Sequence, residues 1–126
     1  MSSSTVATLQ KSLAVGRILA GGVPWLAPEF GWRQFGVSPT TAADPEAQAL
    51  GRLFGSRDIV LGAALLGASS DDTRRQILRA GLVVDALDLA AALLARKHMS
   101  TKGFVSMGGG AAFAIAVALI SERADA

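Results

Sequence analysis

The feature that most constrains the fold is a run of 19 residues, 103–121, without a single charged side chain. A helix of about 20 mostly apolar residues crosses the hydrocarbon core of a bilayer, and this run alone passes that test strictly. The bias extends to the whole chain, since 51% of its 126 residues are hydrophobic and 17% are charged. Soluble domains carry about a quarter charged residues. The composition excludes intrinsic disorder, and the length allows one domain, residues 1–126.

Three further apolar stretches precede this run, and none of the four shows the period-two alternation of a strand. We predict an all-α fold whose four helices lie at about residues 6–26, 46–68, 73–96 and 102–121. Pro45 marks the start of the second helix, because the missing N–H of proline costs nothing there. Asp71 and Asp72 suit the start of the third as capping residues that the helix dipole favours.

The charges inside the first three helices allow two interpretations. In a soluble four-helix bundle they coat the outer face, and in a membrane bundle they turn inward and pair. Residues 59–70 and 89–95 contain no ionisable side chain, whereas a soluble helix needs one about every turn on its outer face. We therefore predict a four-helix transmembrane bundle, multi-pass in a cell membrane, with the lipid bilayer around it.

The longest connection, residues 28–45, lies next to an aromatic cluster formed by Trp25, Phe30, Trp32 and Phe35. Tryptophan at the end of an apolar helix is typical of a membrane interface, so we expect an aromatic-rich interfacial loop here and short loops elsewhere. The alternative is a small aromatic cluster that caps a soluble core.

The basic residues do not set an orientation, because five fall on each side of the predicted bundle. Lys11, Arg74, Arg75, Arg79 and Arg123 oppose Arg33, Arg52, Arg96, Lys97 and Lys102. The N-terminal segment has no positive charge before Lys11, and Arg17 interrupts the apolar stretch that follows. We read this segment as retained rather than as a secretory signal.

Several kinds of chemistry are excluded by composition. The chain has no cysteine and one histidine, His98, so it offers no thiolate or histidine metal site and implies no cofactor. The basic residues are scattered, so the net charge of +2 does not indicate a nucleic-acid partner. The run Gly108–Gly110 lacks the lysine and hydroxyl residue of a phosphate loop, and it predicts helix packing or a kink.

Small residues accompany the charges at helical spacing. Gly51, Gly55, Asp58 and Gly62 form one narrow stripe on the second helix. Because glycines let a neighbouring helix come close, Asp58 is expected to face protein, with Arg57 near the edge of that contact. Arg17 and Gly21 lie one turn apart on the first helix, and Asp85 and Asp88 share a face of the third.

Taken together, three cations and three carboxylates are available to neutralise one another: Arg17, Arg52, Arg57, Asp58, Asp85 and Asp88. A charge at the bilayer centre costs roughly 2.5–3.5 kcal/mol, so we predict that these groups pair. The network either holds the helices in register or lines a polar pocket. In a catalytic pocket, Asp85 and Asp88 are the acid/base pair, because two nearby carboxylates repel and one stays protonated. Arg57 then holds the other ionised or binds an anionic ligand group.

The motif Arg52-x-Phe54-Gly55-x-Arg57-Asp58, followed by Gly62 and by Val84-Asp85-x-x-Asp88, resembles a known family. This is the domain of unknown function 4267 family, small four-helix integral membrane proteins. The resemblance covers about residues 13–118 and implies the fold and the membrane location, but no activity.

Three functional hypotheses follow from these features. The favoured one is a binding or accessory protein whose charged interior holds a lipophilic small molecule or a partner helix. The second is a small membrane enzyme that uses Asp85 and Asp88 for isomerisation, epoxide opening or cyclisation. The third is a proton-coupled carrier, which at this size requires a homo-oligomer.

Overall fold

The structure, a computed structural model, describes residues 1–124. Over these residues all regular elements are helical, which confirms the all-α prediction. They are α1 (Ser3–Leu26), α2 (Pro28–Gln34), α3 (Pro39–Ala42), α4 (Pro45–Gly67), α5 (Asp71–Ala95), a 3₁₀ turn (Arg96–His98) and α6 (Thr101–Ala124). The four long helices correspond to those predicted, while the connection expected as a loop contains the short helices α2 and α3.

Side-chain caps fix where three of the long helices begin. The side chain of Ser2 accepts a hydrogen bond from the backbone N–H of Thr5, and Asp44 caps α4 just before Pro45. The cap of α5 is Ser70, so the predicted capping role of Asp71 and Asp72 is wrong. Both aspartates instead occupy the first turn, where the helix dipole favours their charge.

The long helices form two antiparallel pairs. α1 packs most extensively on α4, and α5 on α6, while the contacts between α1 and α6 and between α4 and α5 are fewer. A small aliphatic core joins the pairs at one end of the bundle; it comprises Leu13, Ala14, Leu65, Leu78, Ala114 and Val117. Beyond this core, toward α2, the pairs enclose a cavity.

The glycine stripe of α4 brings α1 very close, as its spacing predicts. A Cβ built on Gly55 would overlap the carbonyl oxygen of Gly21, and one on Gly21 would overlap that of Gly55. Two helical turns further along the contact, a Cβ on Gly62 would lie 2.5 Å from the carbonyl oxygen of Ala14. Side chains therefore cannot separate these two backbones, and Asp58 on the same stripe faces α1.

The three consecutive glycines of α6 do not act together. Gly108 is buried, and a Cβ there would meet Leu89 and Phe104 at 3.8 Å, an ordinary packing distance. A Cβ on Gly109 or Gly110 would meet nothing within 4 Å. The prediction of helix packing is thus wrong for Gly109 and Gly110, and the helix continues unbroken through all three.

The aromatic cluster splits into an outer and an inner half. Trp25 and Phe30 are 45% and 57% exposed. Trp32 and Phe35 are half-buried and line the cavity. The indole N–H of Trp32 donates to the carbonyl oxygen of Ala47 at 2.9 Å, which fixes this ring against α4.

α6 is the one helix in residues 1–124 that is long and apolar enough to cross a membrane by length and composition. The mean hydropathy of its most apolar 18-residue window is 2.0, and only 33% of that window is buried. α1, α4 and α5 do not reach this level, so hydropathy alone supports one span and not four.

Candidate functional site

Arg17 stands at the centre of a buried ion-pair cluster that joins three helices. Its Nη1 donates to Oδ1 of Asp58 on α4 at 2.8 Å, and its Nη2 donates to Oδ2 of Asp85 on α5. All three side chains are about nine-tenths buried. A planar guanidinium suits this role, because its fork presents parallel donors to more than one carboxylate.

The positions of these three residues follow from the small residues around them. The Gly55–Gly62 part of the stripe lets α1 approach until Arg17 and Asp58 meet. Gly81 lies one turn before Asp85, and a Cβ there would lie 3.0 Å from Nη2 of Arg17. Glycine at position 81 therefore leaves the space that the guanidinium fills.

A second pair lies beside the first and is more open. Nη2 of Arg57 donates to Oδ2 of Asp88 at 2.7 Å, and both side chains are about one-third exposed. The guanidinium of Arg57 also lies 4.7 Å from the centre of the Phe54 ring, within range of a cation–π contact. Its buried Nε has no hydrogen-bond partner within residues 1–124.

Arg52 lies apart from both pairs. It is exposed, its Nε donates to the backbone carbonyl of Trp25 at 3.0 Å, and its guanidinium lies 5.8 Å from the Trp25 ring. The structure thus brings together five of the six predicted network residues and leaves Arg52 out. Asp85 and Asp88 pair with different arginines; the two carboxyls that share one guanidinium are those of Asp58 and Asp85.

The cluster forms part of the wall of a cavity of about 530 Å³ between the two helix pairs. Binding pockets for small molecules typically measure about 300–1,000 Å³ and combine an apolar lining with a few polar groups. Apart from Arg17, three aspartates and two serines, this lining consists of alanine, glycine, leucine, methionine and aromatic side chains. The charged groups therefore meet a ligand from one region of a largely apolar surface.

Within residues 1–124, no group of three or more histidine, cysteine, aspartate or glutamate side chains is arranged so that it could hold a metal ion. What the arrangement offers chemically is hydrogen bonding, charge, and proton exchange at carboxyl groups.

Comparison with known protein families gives a match to a domain of unknown function, DUF4267, over residues 14–121. The chain belongs to the DUF4267 family. The matched region contains every charged residue that lines the cavity. It also contains the whole of α4 and α5 and the larger part of α1 and α6. Neither curated proteins nor solved structures gave a match to the chain.

Sequence reasoning missed one residue beside the ion-pair cluster of this DUF4267 protein, Gly81, and several that line the cavity. Gly81 could have been found, since it lies one turn before Asp85 as Gly21 lies one turn after Arg17. Trp32, Phe35, Met99 and Met107 line the cavity, but their local sequence carries no signal for it. The position of Trp32 and Phe35 depends on how the connection between α1 and α4 folds back over the bundle.

Proposed function

We propose that this DUF4267 protein is a multi-pass membrane protein that binds a lipophilic small molecule in the cavity between its helix pairs. The observation that carries the proposal is the cavity itself, because about 530 Å³ of apolar space meets a buried polar cluster there. A partner helix is a weaker fit as occupant, since the wall is concave and closed at one end by the aliphatic core.

The outer surface of the bundle supports the membrane part of the proposal. Large aliphatic side chains on all four long helices are exposed, among them Leu19, Leu53, Val60, Leu87, Leu94 and Val105. Soluble monomers rarely expose a contiguous apolar patch of more than a few hundred Å². A bilayer around the helices would remove this surface from water.

The charges in α1, α4 and α5 lower the hydropathy of these helices, but their placement suits a membrane. Arg17, Asp58 and Asp85 point into the bundle and are paired, and Asp88 pairs with Arg57. Ionisable side chains inside membrane segments almost always face the bundle interior and pair with one another. The low hydropathy of α1, α4 and α5 is therefore compatible with insertion.

A second candidate function is acid/base catalysis on a lipophilic substrate. The observation that favours it is the sharing of one guanidinium by Asp58 and Asp85, with Asp88 in the same cavity wall. In epoxide opening, for example, a protonated carboxyl gives its proton to the epoxide oxygen while an ionised carboxylate takes one from the attacking water. The sum is the addition of one water molecule.

Occupancy of the cavity is tested with two neighbouring glycine variants. Gly110→Phe places a ring in the cavity lining, whereas Gly109→Phe places the same ring outside it. Detergent-purified protein is titrated with N-phenyl-1-naphthylamine, a neutral lipophilic fluorophore, and energy transfer from tryptophan reports its binding. We expect wild type and Gly109→Phe to bind and Gly110→Phe to lose binding. Equal transfer in both variants, or none in wild type, would overturn the proposal.

A further inference from the structure

The charges at the cavity do not balance. Two guanidinium groups, of Arg17 and Arg57, face three carboxyls, of Asp58, Asp85 and Asp88. Arg57 does not itself line the cavity, and apart from Arg17 and the three aspartates the lining residues are uncharged. Both terminal nitrogens of Arg17 are engaged with carboxyl groups. With all three carboxyls ionised, the cluster has one more negative than positive charge beside an apolar space.

A surplus charge in such a place has a large effect on ligand choice. Interactions between charges grow as the surroundings become less polar, and an unpaired charge out of water is costly. A cationic ligand would balance the surplus negative charge of the cluster. An anionic ligand would add a second uncompensated negative charge to the same wall.

Aromatic rings around the same cavity favour the same sign of charge. Trp32, Phe35, Phe54 and Phe113 line it, and these are four of the seven aromatic residues in the chain. The face of an aromatic ring attracts cations, most strongly when the cation is desolvated. The rings also provide apolar area for the hydrocarbon part of a ligand.

We propose that the ligand of this cavity is a lipophilic organic cation, such as a hydrophobic amine in its protonated form or a quaternary ammonium. The charged nitrogen lies against the carboxyls of Asp85 and Asp88, and the apolar body lies among the aromatic and alanine side chains. This inference rests on the proposed function and adds the charge of the ligand to it.

The test compares two probes of the same shape and opposite charge, tetraphenylphosphonium and tetraphenylborate. Trp25→Phe leaves Trp32 as the single tryptophan, and Trp32 lines the cavity, so its fluorescence reports binding there. The protein is purified in a neutral detergent, and empty micelles correct for partitioning. We expect the cation to bind at least about tenfold more tightly than the borate.

Charge variants made in the Trp25→Phe protein test which carboxyl causes the preference for the cation over the borate. Asp85→Asn removes the surplus charge while Arg17 keeps Asp58, and the preference for the cation should disappear. Glu122→Gln is the matched control, because Glu122 also pairs with an arginine, Arg79, but lies outside the cavity. Its preference should equal that of the parent. If Asp85→Asn does not fold, Asp58→Asn removes the same charge from α4.

The outcomes separate this inference from the function on which it rests. Binding of the borate as tightly as the cation, or a cation preference that Asp85→Asn leaves intact, overturns the inference. The neutral naphthylamine probe then still reports a binding cavity, and the proposed function stands. If Trp32 responds to neither ion and the naphthylamine does not bind, both are overturned.

Discussion

At the scale of single residues, Arg17 connects α1 with α5, two helices that otherwise touch little. α1 and α5 meet chiefly through its side chain, which reaches Asp85 while holding Asp58 on α4. Removal of one partner from a buried ion pair costs more than the pair contributes, because the remaining charge stays buried without compensation. The strongest effect is therefore expected when the arginine is lost and both carboxylates remain.

The first residue-scale prediction concerns the stability of Arg17→Met. We expect this variant to unfold more easily by about 3–5 kcal/mol, measured by denaturant titration in detergent. Adding Asp58→Asn and Asp85→Asn should restore much of that loss, because no buried charge then remains. Arg79→Met breaks the pair of Arg79 with Glu122, in which Arg79 is 63% exposed, and should cost no more than about 1 kcal/mol.

Equal losses in Arg17→Met and Arg79→Met would contradict a structural role of the buried cluster. A triple variant as unstable as Arg17→Met would show that packing of the long arginine stem, rather than uncompensated charge, dominates the loss.

At the scale of helices, the contact between α1 and α4 sets the geometry of the site. The backbones meet at Gly21 and Gly55, one turn from Arg17 and Asp58 respectively. A side chain at either glycine would push the helices apart and lengthen the 2.8 Å bond between Arg17 and Asp58. The cluster is thus available only because small residues occupy both surfaces.

Adjacent glycines of α1 give a matched test of this contact. Gly21→Ala puts a methyl group against the backbone of α4, whereas Gly22→Ala meets nothing within 4 Å. Gly21→Ala should destabilise by about 1–3 kcal/mol through overpacking. Gly22→Ala should stabilise by about 0.5–1 kcal/mol, because alanine is the better helix former. Thermal unfolding in detergent distinguishes the two, and the same sign for both would contradict the close contact.

Helix type and helix ends could be read from the sequence because their causes are local. Proline at position 45, the long apolar stretches and the glycine stripe each act within one element. The partners of each charge are not local. Arg52 and Arg57 lie on opposite sides of the stripe, since each is about 100° from it in opposite directions. The position of α5 places Asp88 beside Arg57, and the position of α1 places the carbonyl oxygen of Trp25 beside Arg52.

A pocket beside the charges was one of the two sequence-based alternatives, but its apolar lining could not be predicted, for the same reason. It is the gap left where the pair α1–α4 and the pair α5–α6 touch least, and no single helix encodes that gap. The spacing of Asp85 and Asp88 predicts a polar face on α5. It does not predict that Trp32 and Phe35 line the same cavity as these aspartates.

At the scale of the whole molecule, three buried charged side chains lie in a bundle whose outer surface exposes many large aliphatic side chains. Large aliphatic side chains are exposed along all four long helices, while the buried charged residues Arg17, Asp58 and Asp85 meet at the centre. Charged residues are almost never fully buried in a soluble domain unless they are paired, and these three are paired with one another. The hydropathy of α6 alone supports one span, so the number of spans is the property of the whole chain that most needs measurement.

Membrane topology can be determined cleanly because the chain contains no cysteine. Thr40 in α3 and Ser69 between α4 and α5 are exposed and are separated only by the length of α4. If four helices cross, Thr40→Cys and Ser69→Cys lie on opposite sides, and a membrane-impermeant maleimide added to intact cells labels one of them. Lys97→Cys, beyond α5, should then behave as Thr40→Cys does.

If only α6 crosses, all three positions lie on the same side and react alike, because every one of them precedes Thr101. Detergent lysis supplies the control, since each cysteine must become fully reactive once the membrane is dissolved. Opposite labelling of positions 40 and 69 would place Asp58, which lies between them in α4, within the membrane. Identical labelling of all three would put the ion pairs outside the bilayer, and the cavity could no longer be a site reached from lipid.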